Sequence, residues 1–185
     1  RAHMQHTVEA LRGGGASVQE ILLPQDLAML LAVHYVIMQV EVAAVHAQLH
    51  AAHSEYYAPR LRAYVEVGQL VPGQAYIQAQ RVLRRLRGAV EPLFRDLDAL
   101  LLPTASNVAP GSETTGDPSF QAPWTLLGLP AISLPSGLSA KRLPFAIQLV
   151  APPFAESRLL GAASWCQRNM EPIGWPFLDK PGRWP

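Results

Sequence analysis

Hydrophobic positions along this chain follow two rhythms, a helical one in its first half and short continuous runs in its second. Met4, Val8 and Leu11 recur at helical spacing. Gly13, Gly14 and Gly15 then supply a helix stop, and Ala16 to Leu23 reads as a strand closed by Pro24. From Gln25 to about His53 apolar residues dominate without glycine or proline, which predicts one long, mostly buried helix or two in series. Asp26 suits the positive N-terminal end of that helix. Pro59 interrupts the pattern, and a further helix through Leu61, Tyr64 and Val65 is expected to stop at Gly68 in a left-handed conformation. Pro72 and Gly73 mark a turn. Gln74 to Asp96 carries Ile77, Val82, Leu83, Leu86, Val90 and Phe94 against Arg81, Arg84, Arg85 and Arg87, an amphipathic helix.

Beyond Asp98 the rhythm changes. Ala99–Leu102, Ala131–Leu134 and Phe145–Val150 are short apolar runs closed by proline or glycine, and runs of this kind read as strands covered on both faces. Glu156 to Arg168 is a last helix, and the proline-bearing tail 171–185 is expected to lie along the surface, with Trp175 and Trp184 pinning it. The order of elements predicts an α/β fold, a mixed β-sheet covered by helices, as a single domain over residues 1–185. Thr104 to Pro123 is a long polar connection, of the sort that more often forms a binding wall than a neutral link. The first helix has no capping residue before it, as if the chain began inside an element.

Composition narrows the function. A chain of 185 residues, 49% apolar and 16% charged, has the balance of a soluble globular protein. A formal charge of +1 sets up no long-range field, so a nucleic-acid partner is not expected. The arginines of the amphipathic helix fall on its polar side without interleaved aromatics, in keeping with a solvated face. His34, Gln39 and Glu41 make Leu27–Val45 a poor membrane span. Cys166 has no cysteine partner and no basic n-region opens the chain, so a reducing, cytoplasmic setting is expected.

Candidate chemistry is sparse. No G-x-S-x-G pentad occurs, and Ser136 and Ser139 with Lys141 sit in SGLSAKRLP, where they read as turn residues. His46, His50 and His53 share one helical face, but zinc needs a ligand from another element and a second shell. They read as a polar face. No catalytic residue, metal or cofactor is expected.

Several segments, taken in order, resemble the C-terminal half of the amidase signature family, hydrolases that cleave amides and esters through a serine, cis-serine and lysine triad. They are GGGASVQEILLP, Glu41 with His46, YYAPRLRAYVEVG, AYIQAQRVLR, DALLLPT from Asp98 with Pro110 after it, GLPAISLPSG and LPFAIQLVAPP. The chain departs from the family's pattern at Thr125, where Asn is frequent, and after LPF, where Gly is frequent. The resemblance implies that the glycine- and serine-rich catalytic segment and the lysine lie outside these residues. It also implies that Thr104, Ala105, Ser106, Asp117, Phe120, Trp124 and Thr125 face the substrate, conferring specificity without catalysis, or else simply close the strand ends. The implied ligand is a small amide or ester. The implied partner is a missing N-terminal amidase half, within an enzyme completed in trans, or a second copy in a self-associating homo-oligomer.

Overall fold

The computed structural model describes residues 2–23 and 27–173, and their contacts fall into two compact units. One comprises residues 23–92, the other the segments before and after it. Where the hydrophobic pattern suggests one core, each unit carries buried residues of its own. Pro24, Asp26 and the tail tryptophans Trp175 and Trp184 lie outside the described residues.

In the helical unit, α2 (Leu27–His53) packs against α3 (Pro59–Leu70) and α4 (Gly73–Val90). The sequence suggests that α2 is mostly buried. Instead Leu30, Val33, Ile37 and Ala43 are buried, while Val45 and Leu49 remain 82% and 55% exposed. Among the described residues, Met29–Tyr56 is long and apolar enough to cross a membrane by length and composition alone. Pro59 opens α3 at its first turn, where a missing N–H costs nothing. Gly68 does not end α3, which runs on to Leu70. Its role is close approach: a Cβ there would collide with the backbone carbonyl oxygen of Gln39 on α2. The amphipathic prediction for α4 holds at Leu83, Leu86 and Val90, buried together with Ala79, but not at Ile77, which is 52% exposed, and Pro92 follows the helix in a 3₁₀ turn, Glu91–Phe94.

The second unit holds α1 (Ala2–Gly13), β1 (Leu100–Pro103), α5 (Ala122–Leu127), β2 (Ala131–Leu138), β3 (Pro144–Val150) and α6 (Glu156–Asn169). The α/β class stands, but the described sheet is antiparallel throughout, in the order β1-β3-β2, where a mixed sheet is expected. A tight turn forces this. The Ser139 N–H donates to the Leu143 carbonyl at 2.8 Å, so β2 and β3 form a hairpin, and β1 adds antiparallel to the other side of β3. Ala16–Leu23 is not a strand. Val18 and Ile21 suit a strand, but neither β1 nor β2 pairs with these residues, and Leu22 is 93% exposed.

Strand alternation gives the sheet two faces. Leu134, Ile147 and Leu149 point to one, packed with Leu11 of α1 and Leu159, Ala163 and Cys166 of α6. Each such aliphatic side chain contributes about 1.5–3 kcal/mol by leaving water. Ser133 pairs with Gln148, which pairs with Leu102, and these three belong to the opposite face.

Gly68→Ala is expected to lower the unfolding free energy by about 1–3 kcal/mol in urea titration, because backbone cannot yield to the added methyl. Gly88→Ala on α4, where nothing lies within 4 Å, is expected to raise it by about 0.5–1 kcal/mol.

Candidate functional site

Gln148 organises the polar face of the sheet. It lies in the apolar run of β3 and is only 3% exposed, so its amide must find partners within the protein. Its Nε2 donates to the Pro103 carbonyl at 3.1 Å and to the Phe120 carbonyl at 2.5 Å. This ties the end of β1 to the segment entering α5. A second amide repeats the device, Gln121 Nε2 donating to the Thr104 carbonyl at 2.7 Å. Beside them the Thr104 and Ser133 hydroxyls pair at 2.9 Å. The Thr104 N–H donates to the Ala146 carbonyl at 3.0 Å, extending the ladder by one residue past Pro103. The result is a polar shelf of neutral groups along one end of the sheet.

The predicted site residues distribute unevenly around this shelf. Thr104 belongs to it by side chain and backbone, and Phe120 through its carbonyl. Asp117 and Ser106 meet in the loop instead. Asp117 accepts from the Ser119 hydroxyl at 2.7 Å and from the Ser119 N–H at 2.9 Å. These bonds, with a lesser one from Ser106, hold its carboxyl below the ordinary 3.8. A folded carboxyl that is the stronger acid reinforces the turn in full above its unfolded pKa, and that reinforcement is lost as pH falls through the lower, folded pKa. Thr125 is exposed on α5, and Ala105 is exposed in the loop. Trp124 is 2% exposed, and its Nε1 is buried without a hydrogen-bond partner, which places it in the interior.

Sequence reasoning missed Ser133, Gln121 and Gln148. The signal was present for Gln148, a lone polar residue within an otherwise apolar strand. Ser139 lies in the β2–β3 turn as expected, its Oγ accepting from the Leu143 N–H at 3.1 Å. Ser136 does not; it lies within β2, at a break in register between Pro135 and Gly137.

Elsewhere, the histidines of α2 gather around aromatic and acidic neighbours. His46 Nδ1 pairs with the Tyr57 hydroxyl at 2.8 Å, and the His50 ring meets Tyr57 edge-on at 5.3 Å. His50 Nε2 lies 3.9 Å from Glu66, and His53 Nδ1 lies 3.8 Å from Glu55. His46 and His50 share Tyr57, whereas His53 lies against Tyr56 and Glu55. A groove along α4, lined by Gln74, Ala75, Ile77, Gln78 and Arg81, contains no predicted site residue. Burial pushes the Cys166 thiol above its ordinary value and so away from the reactive thiolate.

A hairpin sheet backed by helices places the chain in the α/β class. The amidase family model matches residues 1–160, and the chain belongs to the amidase family. The glutamyl-tRNA(Gln) amidotransferase A-subunit of Neisseria meningitidis serogroup C / serotype 2a is 28% identical over 199 residues, covering 91% of this chain and 41% of the relative. A putative amidase, AmiD, of Mycobacterium bovis is 30% identical over 134 residues, covering 66% of this chain and 28% of the relative. Among solved structures, an amidase superposes with a TM-score of 0.84 at 25% identity, covering 92% of this chain and 42% of that one. A protein from a vestigial complex bearing on the origins of an s-triazine catabolic enzyme gives 0.77 at 27% identity, covering 91% and 39%. The chain thus spans about 41% of the length of its amidotransferase relative.

Gln148→Leu is expected to cost about 1–3 kcal/mol in urea unfolding, since two carbonyls lose their donor. Amide hydrogen exchange should quicken between Thr104 and Gln121. Ser133→Ala, at an exposed hydroxyl, should stay within about 0.5 kcal/mol.

Proposed function

We propose that these residues form one wall of the substrate cleft of an amide- or ester-cleaving hydrolase, with the nucleophile and its base supplied by polypeptide outside them. In that reading residues 1–185 act as one functional domain, cytoplasmic and without metal, cofactor, nucleic acid or membrane as partner. The observation that carries it is the shelf at Gln148, which gathers neutral donors and acceptors at the end of the sheet. Such groups match the N–H and C=O of a neutral amide or ester, and none of them is a base able to activate a hydroxyl. Family membership and the partial span of the relatives support the same division of labour. Thr104 and Ser133 would meet the substrate, Phe120 and Gln121 would shape the wall, and Ser106, Asp117, Trp124 and Thr125 would hold the loop and α5 around it. The complementary wall is an amidase N-terminal segment, in the same polypeptide or in trans.

A second reading, self-association, is favoured by the open apolar surface of the helical unit, where Val45, Leu49, Tyr56 and Leu70 are exposed. Light scattering over a range of concentrations should then show a dimer, and a monomer at high concentration would dismiss it.

The purified chain is expected to show no turnover of p-nitroanilide amides above blank. Steady turnover that a serine-directed covalent inhibitor abolishes would overturn the proposed function.

A further inference from the structure

On the face of the sheet opposite the shelf, a histidine and a serine distant in sequence meet. His3 of α1 and Ser136 of β2 pair through Nε2 and Oγ at 2.9 Å, and both side chains are half-buried. We infer that His3 and Ser136 form an activated-serine dyad, in which Ser136 accepts a small acyl group from a phenyl ester while His3 takes its proton.

Three features place the imidazole. Its ring stacks on Phe145 of β3, with centroids 4.9 Å apart and planes at 27°. Its Cε1 edge meets Gly137, where any Cβ would collide with the ring. Ser136, the third, sits at the register break of β2 without a partner on β3, and such breaks re-aim a side chain out of the ladder. The order of these contacts matters for chemistry. A base must be within hydrogen-bond reach of the proton it removes, and its ring must not swing away. Here an aromatic face and a bare backbone hold the ring where a triad uses a carboxylate.

The charge state also suits a base. Burial, with a lesser contribution from His6, holds His3 below its ordinary 6.5, so the ring is neutral near pH 7. The hairpin residues packed on it, Ser136, Gly137 and Phe145, bring no charge. With the ring proton on Nδ1, Nε2 accepts from the Ser136 hydroxyl. In the step, Oγ bonds to the acyl carbon as its proton passes to Nε2. The bond from that carbon to the phenolic oxygen breaks, phenolate leaves, and His3 returns its proton to phenolate or solvent. A phenolate departs without prior protonation, whereas an amine leaving group needs it, so the dyad takes esters and spares amides.

The experiment exposes the full chain to p-nitrophenyl acetate near neutral pH and maps acetylated peptides by mass spectrometry. Acetylation is expected at Ser136 well ahead of every other serine, and Ser136→Ala should remove that signal. His3→Gln and His3→Phe, the latter keeping an aromatic against Phe145, should each slow it on the order of a hundredfold. The wild-type rate should rise with pH to a plateau whose midpoint lies below 6.5. Acetylation of Ser136 no faster than of other serines, or unchanged rates in both His3 variants with circular dichroism intact, would overturn the dyad. Failure here leaves the shelf reading standing, because amide turnover and ester acylation are read on different residues.

Discussion

An amide buried among aliphatic side chains is tolerable only when its hydrogen atoms are used, and the arrangement around β3 depends on how Gln148 uses them. Both bonds from its single NH₂ group end on backbone carbonyls, one at the end of β1 and one at the entry to α5. Segments separated by the whole polar connection are thereby held to the central strand at one point. Gln121, returning to the Thr104 carbonyl, closes the same connection from the other side. The loop between is long, but it is fastened where it leaves the sheet and where it comes back.

The two faces of this small sheet therefore have different tasks. One is sealed by α6 and α1 around Ile147 and Leu149, and supplies the cohesion of the unit. The other carries Leu100, Leu102 and Val150 and, toward one end, the uncharged hydrogen-bonding groups of Thr104, Ser133 and Gln148. Uncharged groups discriminate by direction rather than by field, which suits a ligand without formal charge. The near absence of net charge in the whole chain agrees with that division. On the sealed side, the polar contact of His3 with Ser136 sits at the only register shift in the described sheet.

Much of the secondary structure was legible because its signals are local. Glycines after Leu11, Pro59 at a helix start, and the aliphatic stripe of α4 each act within a few residues, and each appears where expected. What failed was long-range. Ala16–Leu23 has strand chemistry, but a strand is made by its neighbour, and no pattern within those residues says whether one is there. Gly68 looked like a stop because glycine usually stops helices; its actual partner, Gln39, lies on another helix. The site was legible in outline through Thr104 and Phe120, which flank the loop. Gln148 was legible in principle, since a lone amide in FAIQLV demands a partner, but the identity of that partner depends on a sheet order in which β1 comes to lie beside β3. Trp124 could be read as lining or as filling, and only its burial decides for the interior.

That strand order also carries a kinetic implication. β2 and β3 are joined by a tight turn, so their pairing needs little chain to be brought together. β1 reaches the far edge of β3 only after the whole stretch from Thr104 to Pro130 has been looped out, and contacts of large sequence separation are the slow ones. The hairpin is thus the nucleus to which the earlier strand is recruited, and the glutamine amide can find its two carbonyls only at the last stage of that recruitment. The shelf around Gln148 is, in consequence, the latest part of the sheet to mature.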